Sequence, residues 1–232
     1  HAVAQEWGHF TAESTPDLGL WDYPDTWLEG DHQLAVGSRT IDAVSTPGHT
    51  QGHFVFADLS DKLLFAGDHV LPTITPSIGF EPKLADQPLM DFLNSLAKVR
   101  AMPDLQLLPA HGPVTASSHA RVDELIAFHD ERLDLCRAAI ADSPGTSYDV
   151  AQQLPWTKRG RRLSEMDVFN TALATLETRL VSRAAADPSW ALTRAAGQPI
   201  RAARSAAPSG LHENGAFPIT PRGDERAGRA AH

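Results

Sequence analysis

Apolar and polar positions alternate in two short stretches, Gln33–Val36 and Thr40–Ser45, on either side of Gly37-Ser38. A period of two broken by a glycine turn predicts a β-hairpin. His53–Asp58 and Lys62–Ala66 read as two further strands joined by a turn at Leu59–Asp61, and Leu105–Pro109 reads as a short buried strand. Elsewhere the period changes. Leu89, Phe92, Leu93, Leu96 and Val99 recur at three- and four-residue spacing and predict a helix over Pro88–Arg100. A longer stripe, Val122, Leu125, Ile126, His129, Leu133, Cys136 and Ile140, predicts a helix over Ser117–Ala141, capped by Ser117 or Ser118. Ser143-Pro144-Gly145 breaks it. Ser147–Leu154 and Ser164–Val181 are expected as two more helices, the second with Val168, Ala172, Leu176 and Leu180 on one side. Phe54, Phe56, Phe65 and Phe92 are expected to fill the core, and His119 and His129 to cap or pack. Residues 1–27, with Trp7, Trp21 and Trp27 among polar neighbours, show no clear period.

Strands mixed with helices define an α/β class. Three segments follow. Residues 1–141 form the α/β domain, 142–183 a small helical unit, and 184–232 a tail rich in Ala, Arg, Pro and Gly. The tail holds few large apolar residues, too few to offset its chain entropy, and is expected to be disordered.

Composition narrows the function classes. A chain of 232 residues is long enough to bury a core without disulfides. The single cysteine, Cys136, excludes a disulfide framework and a Cys-cluster zinc module. A net charge of −9 argues against a dedicated nucleic-acid binder. It leaves one local basic cluster, Lys158, Arg159, Arg161 and Arg162, readable as a phosphate contact for RNA or as a solvated loop. No apolar run approaches the ~20 residues that span a bilayer. With no visible leader, the cytoplasm is the expected compartment and no membrane partner is expected.

Three loops carry chemistry. Thr46-Pro47-Gly48-His49-Thr50-Gln51-Gly52-His53 places two histidines in a tight turn, where one can face a site while the other braces it. Phe65-Ala66-Gly67-Asp68-His69 ends an apolar strand in a carboxylate. Leu107-Leu108-Pro109-Ala110-His111-Gly112-Pro113 ends another in a histidine held between small residues. Strand ends are where sites gather in α/β proteins, and imidazole with carboxylate suits zinc, iron or manganese. The segment Leu71–Glu81, rich in Pro, Thr and Gly, is a candidate substrate-side loop.

The order TPGHTQGH, FAGDH, LPAHG, with the hairpin before it, resembles the second half of the metallo-β-lactamase superfamily fold over residues 28–183. The resemblance implies an αβ/βα sandwich with two divalent metal ions, zinc first, along one edge. His49 would ligate the first metal, His111 the second, and Asp68 would bridge them and serve catalysis. His53 would orient the loop from behind, and His69 would face substrate or pack. A hydroxide held between the metals would attack an ester, thioester or phosphodiester. The family's His-x-His-x-Asp-His pattern is absent, since His1, His9 and His32 do not form it. The fold is therefore expected to be truncated at its N-terminus, with an incomplete ligand set that leaves this chain alone inactive, and an inactive fragment without metals is one of the alternative readings. TSYDVAQQLPW and ALATLET resemble the helices of a C-terminal winged-helix domain found in some members. That subgroup includes thioester hydrolases and endoribonucleases, so a small ester or thioester is the expected substrate and RNA the alternative partner. The change of composition after Thr178, inside a helix, leads to the expectation of a shifted reading frame there.

Overall fold

A computed structural model describes residues 24–79, 81, 83, 85–143, 145–156 and 162–186. Five strands, β1 (His32–Val36), β2 (Arg39–Ser45), β3 (Phe54–Asp58), β4 (Leu63–Gly67) and β5 (Gln106–Pro109), form one sheet in chain order. Each of the first three pairings is antiparallel, and β5 runs parallel to β4. A parallel step needs a crossover, and α1 (Pro88–Ala101) supplies it. After β5 come α2 (Ser118–Asp142), α3 (Ser147–Gln153), a 3-10 turn (Leu163–Glu165) and α4 (Val168–Ala186). Ser117 caps α2, its Oγ accepting from the Ala120 N–H at 3.1 Å.

The core lies between one face of the sheet and the helices. Register aligns Ala57, Leu64 and Leu107 across β3, β4 and β5, and all three are fully buried. Above them pack Leu89, Phe92, Leu93 and Leu96 of α1 and Val122, Leu125 and Leu133 of α2. The alternation that buries Val55 and Ala57 turns Phe54 and Phe56 to the opposite face. There Phe56 pairs with Phe65 and Phe65 with Leu108, and Phe54 stacks on Phe56 with ring centroids 6.4 Å apart. Phe65 is 44% exposed. Of the four phenylalanines expected in the core, Phe92 is there. The other three form an apolar second face, because small residues take the side on which helices pack closely. Of the expected sandwich, the described residues supply one sheet with its helical layer, and no second sheet appears among them.

The helical unit joins the same core. Val150 of α3, Leu154 just after it, and Leu180, Val181 and Ala184 of α4 cluster with the sheet-side residues. The inward stripe of α4 includes Thr171, Ala174, Thr178 and Val181, rotated from the stripe read in the sequence. Thr178 is buried and donates from Oγ1 to the Ala174 carbonyl at 2.8 Å. The helix continues past it to Ala186, into the segment expected as tail, with no break in packing at Thr178. Among the described residues the segment after Asp142 holds helices alone, so the winged-helix likeness rests on those helices. Lys158, Arg159 and Arg161 of the basic cluster, and the expected tail beyond Ala186, lie outside the described residues. Among the described residues no helix is long and apolar enough to cross a membrane.

Candidate metal centre

Topology brings the three motif loops to one end of the sheet. β2 leaves at that end and β3 enters there, since the two are antiparallel. β4 and β5, being parallel to each other and antiparallel to β3, both terminate there. The β4–β5 register skips at Ala66, pairing Phe65 with Leu108 and Gly67 with Pro109. This bulge bends the strand just before Asp68. Gly67 has φ +52, and a Cβ on it would lie 2.7 Å from His53 Nε2. Only glycine lets the strand end approach the imidazole so closely.

His49, Asp68 and His111 converge. His49 Nε2 is 3.9 Å from Asp68 Oδ2, and His111 Nε2 is 3.3 Å from Asp68 Oδ1. Each carboxylate oxygen thus faces a different imidazole. The Nδ1 of His49 lies 2.7 Å from the Ser77 carbonyl, so it carries the proton and leaves Nε2 as a lone pair. His111 is the most open of the three, its side chain 70% exposed.

His53 stands behind the carboxylate rather than beside it. Its Nε2 accepts the Asp68 backbone N–H at 3.2 Å, and its Nδ1 donates to Thr46 Oγ1 at 2.9 Å. Burial, with the nearby His49 acting in the same direction, pushes its pKa down to about 4, against the pull of Asp68. A neutral ring with both nitrogens engaged holds the Asp68 main chain and is not available to a metal. His69 is fully buried, packs edge-on against Phe92 with centroids 4.9 Å apart, and has no hydrogen-bond partner among the described residues. Burial holds it at about 3. Of the two readings the sequence left open for His69, this placement is the packing one.

Residues 71–79 of the candidate substrate-side loop flank the site. Arg121 of α2 donates to the carbonyls of Leu71 at 2.6 Å and Ile74 at 3.0 Å. The Gly79 N–H reaches the Gly48 carbonyl at 2.9 Å. Sequence reasoning missed Ser77 and Thr46, because a backbone carbonyl and a lone hydroxyl in polar loops carry no pattern. It also missed Arg132 and Glu177, whose signal was present: each is a charge on an otherwise buried helical stripe.

Two imidazole nitrogens and a carboxylate are donor types that suit a divalent cation. Among the described residues no group of three or more His, Cys, Asp or Glu could hold a single ion. Catalytic zinc takes three protein ligands, so His49, Asp68 and His111 have the donor types of a divalent-metal site without completing one among the described residues.

The described residues form a mixed α/β protein with two histidines and a carboxylate gathered at one end of its sheet, and its likenesses are to metallo-β-lactamase superfamily proteins. Residues 1–111 match the family model described as the metallo-beta-lactamase superfamily. A beta-lactamase domain protein from Burkholderia ambifaria superposes with a TM-score of 0.60 at 27% identity, over 85% of this chain and 55% of that one. A metallo-beta-lactamase family protein from Thermus thermophilus shares the fold, with a TM-score of 0.56 at 24% identity, over 85% of this chain and 61% of that one. Among curated relatives, the "Beta-lactamase-like protein 2 homolog" of Caenorhabditis elegans is 28% identical over 138 residues, 57% of this chain and 44% of the relative. The hydroxyacylglutathione hydrolase of Bartonella tribocorum is 39% identical over 84 residues, 36% of this chain and 31% of the relative. The chain therefore spans less than half the length of these two curated relatives.

Proposed function

We propose that this chain carries part of the two-metal site of a metallo-β-lactamase superfamily hydrolase that cleaves thioesters. One observation carries the reading: the two oxygens of Asp68 face two different imidazole nitrogens, with Nε2 of His49 freed for coordination by the Ser77 carbonyl. The hydroxyacylglutathione hydrolase likeness supports the thioester class over other esters. Asp68 would bridge two divalent ions, zinc by preference and iron or manganese by the same donor types, with His49 on one and His111 on the other. Such ions acidify a bound water and polarise the scissile carbonyl. The chain's own residues do the positioning. His53 fixes the Asp68 backbone, and Ser77 fixes the His49 tautomer.

The test is hydrolysis of a lactoyl thioester by the protein expressed from its whole reading frame, with metal content measured alongside. Asp68→Ala is expected to lower turnover by about a thousandfold or more and to release bound metal. Unchanged turnover and metal content in that variant would sink the assignment.

A further inference from the structure

The three side chains of the site are backed in different ways. His53 holds the Asp68 main chain, and Ser77 holds the ring of His49. His111 is 70% exposed on the loop after β5, so its reach to Asp68 depends on where that loop lies. Two contacts place the loop. The Ala110 N–H reaches the Gly67 carbonyl at 2.9 Å, which ties its near side to the end of β4. On the other side Gly112, with φ +91, lies against the substrate-side loop. A Cβ there would be 2.9 Å from Pro72 Cγ and 3.5 Å from Thr73 Oγ1. Residues 72–73 therefore press on the turn that carries His111.

Arg121 fixes that stretch to α2. Its Nε donates to the Leu71 carbonyl at 2.6 Å and its Nη2 to the Ile74 carbonyl at 3.0 Å. These two nitrogens form one edge of the planar fork, a fixed spacing that the single ammonium of lysine does not offer. Nη1 turns to Glu124 Oε2 at 2.7 Å. Thr73 and Thr75 border a cavity of about 560 Å3 whose other side includes Leu125 and Phe128 of α2. Open space thus lies between loop and helix, and Arg121, at the edge of the same cavity, joins the two. Arg132, also on α2 at this cavity, is engaged elsewhere. Its Nη1 donates to the Pro155 carbonyl at 2.6 Å, its Nε faces Glu177 Oε1 at 3.4 Å, and its guanidinium carbon lies 3.9 Å from the centroid of the Trp156 ring.

We propose that Arg121 is a positioning residue for the candidate site: by holding residues 71–74 against Gly112, it sets where His111 stands relative to Asp68. The importance of this for a metal rests on the hydrolase reading above, whereas the link from Arg121 to Gly112 does not.

Amide nitrogen relaxation of the full chain, in chelator, reads that link without metal or turnover. In Arg121→Met the order parameters of Ile74 and Gly112 are expected to fall together, from about 0.85 to about 0.6 or lower, while Val55 in the sheet stays rigid. Glu124 is 66% exposed, so removing its partner strands no buried charge and the variant is expected to fold. Arg121→Lys keeps the charge but not the fork and should loosen the same two amides. Glu124→Gln leaves both carbonyl bonds in place and should loosen neither. A Gly112 that stays ordered while Ile74 loosens, or full order in Arg121→Lys, overturns the proposal. So does a Val55 that loosens as much as the loops in both Arg121 variants, because that assigns Arg121 to global folding. Zinc titration calorimetry of the protein expressed from its whole reading frame then tests the effect on the site. The dissociation constant is expected to rise about ten- to a hundredfold in Arg121→Met, with excess zinc restoring turnover. Unchanged affinity overturns the role at the site and leaves the hydrolase reading standing. No zinc binding by the unaltered protein removes the hydrolase reading, and the relaxation result alone then decides the link from Arg121 to Gly112.

Discussion

At Gly48 the backbone has φ +139, and a Cβ would lie 2.4 Å from the Cα of Phe92. Backbone, not a flexible side chain, blocks that position, so Gly48→Ala must push the His49 loop off α1. Ser95 Oγ, which donates to the Pro47 carbonyl at 2.8 Å, would be pulled out of place with it. We expect a loss of about 2 kcal/mol or more, read as a lower urea midpoint. His129 gives a residue-scale pH dependence. It is 1% exposed, between Phe92 and Phe128, and burial, with Arg132 adding to it, pushes its pKa down to about 4. The unfolded ring titrates near 6.5. Between those values the unfolded chain binds the extra proton, so stability falls as pH drops from about 6.5 toward 4. A depression of that size corresponds to roughly 3 kcal/mol. His53 and His69, also depressed, act in the same direction. Urea midpoints at neutral pH and near pH 4 should converge in His129→Leu by about that amount relative to the unaltered chain. Lost ring packing lowers both midpoints alike and does not mimic this.

At the scale of elements, α4 is the informative one. The sequence places a break at Thr178, yet Leu180, Val181 and Ala184 are 6%, 1% and 3% exposed in the shared core. A chain ended after Thr178 loses all three, whereas one ended after Ala186 keeps them. The shorter chain is expected to be less stable than the longer by roughly 4 kcal/mol, from the burial of those side chains, as measured by denaturant unfolding of the two. Most elements were legible. The hairpin, both paired strands, α1 and α2 each announced themselves by period, and Ser117 marked the start of α2. Periodicity within α4 was less clear because Thr171, Ala174 and Thr178 face inward, and small or hydroxylated residues do not advertise a buried side. The second face of the sheet was misread for a related reason. Aromatic content signals burial, but only the register of β3 and β4 says on which side.

For the whole molecule, the core is continuous from the sheet to α4. Val55, Leu107, Val150 and Leu180 belong to one buried cluster. Unfolding of this body is therefore expected to be a single transition, with Leu64→Ala on β4 and Leu154→Ala after α3 lowering the same midpoint, each by about 2–4 kcal/mol. Separate transitions by circular dichroism and hydrogen exchange would contradict that. The candidate site shows the same division between local and global. Sequence by itself determined the types and order of the side chains that meet at the candidate site, His49, then Asp68, then His111, because each sits at a strand end marked by small residues. Only tertiary structure decided that the two oxygens of Asp68 face two different histidines, that Ser77 sets the tautomer of one of them, and that Arg132 meets Glu177 and Trp156 at a cavity. Period and composition report which side of an element is buried. Which side chains meet across elements depends on strand order, register and helix rotation, and those are fixed by packing between segments far apart in the chain.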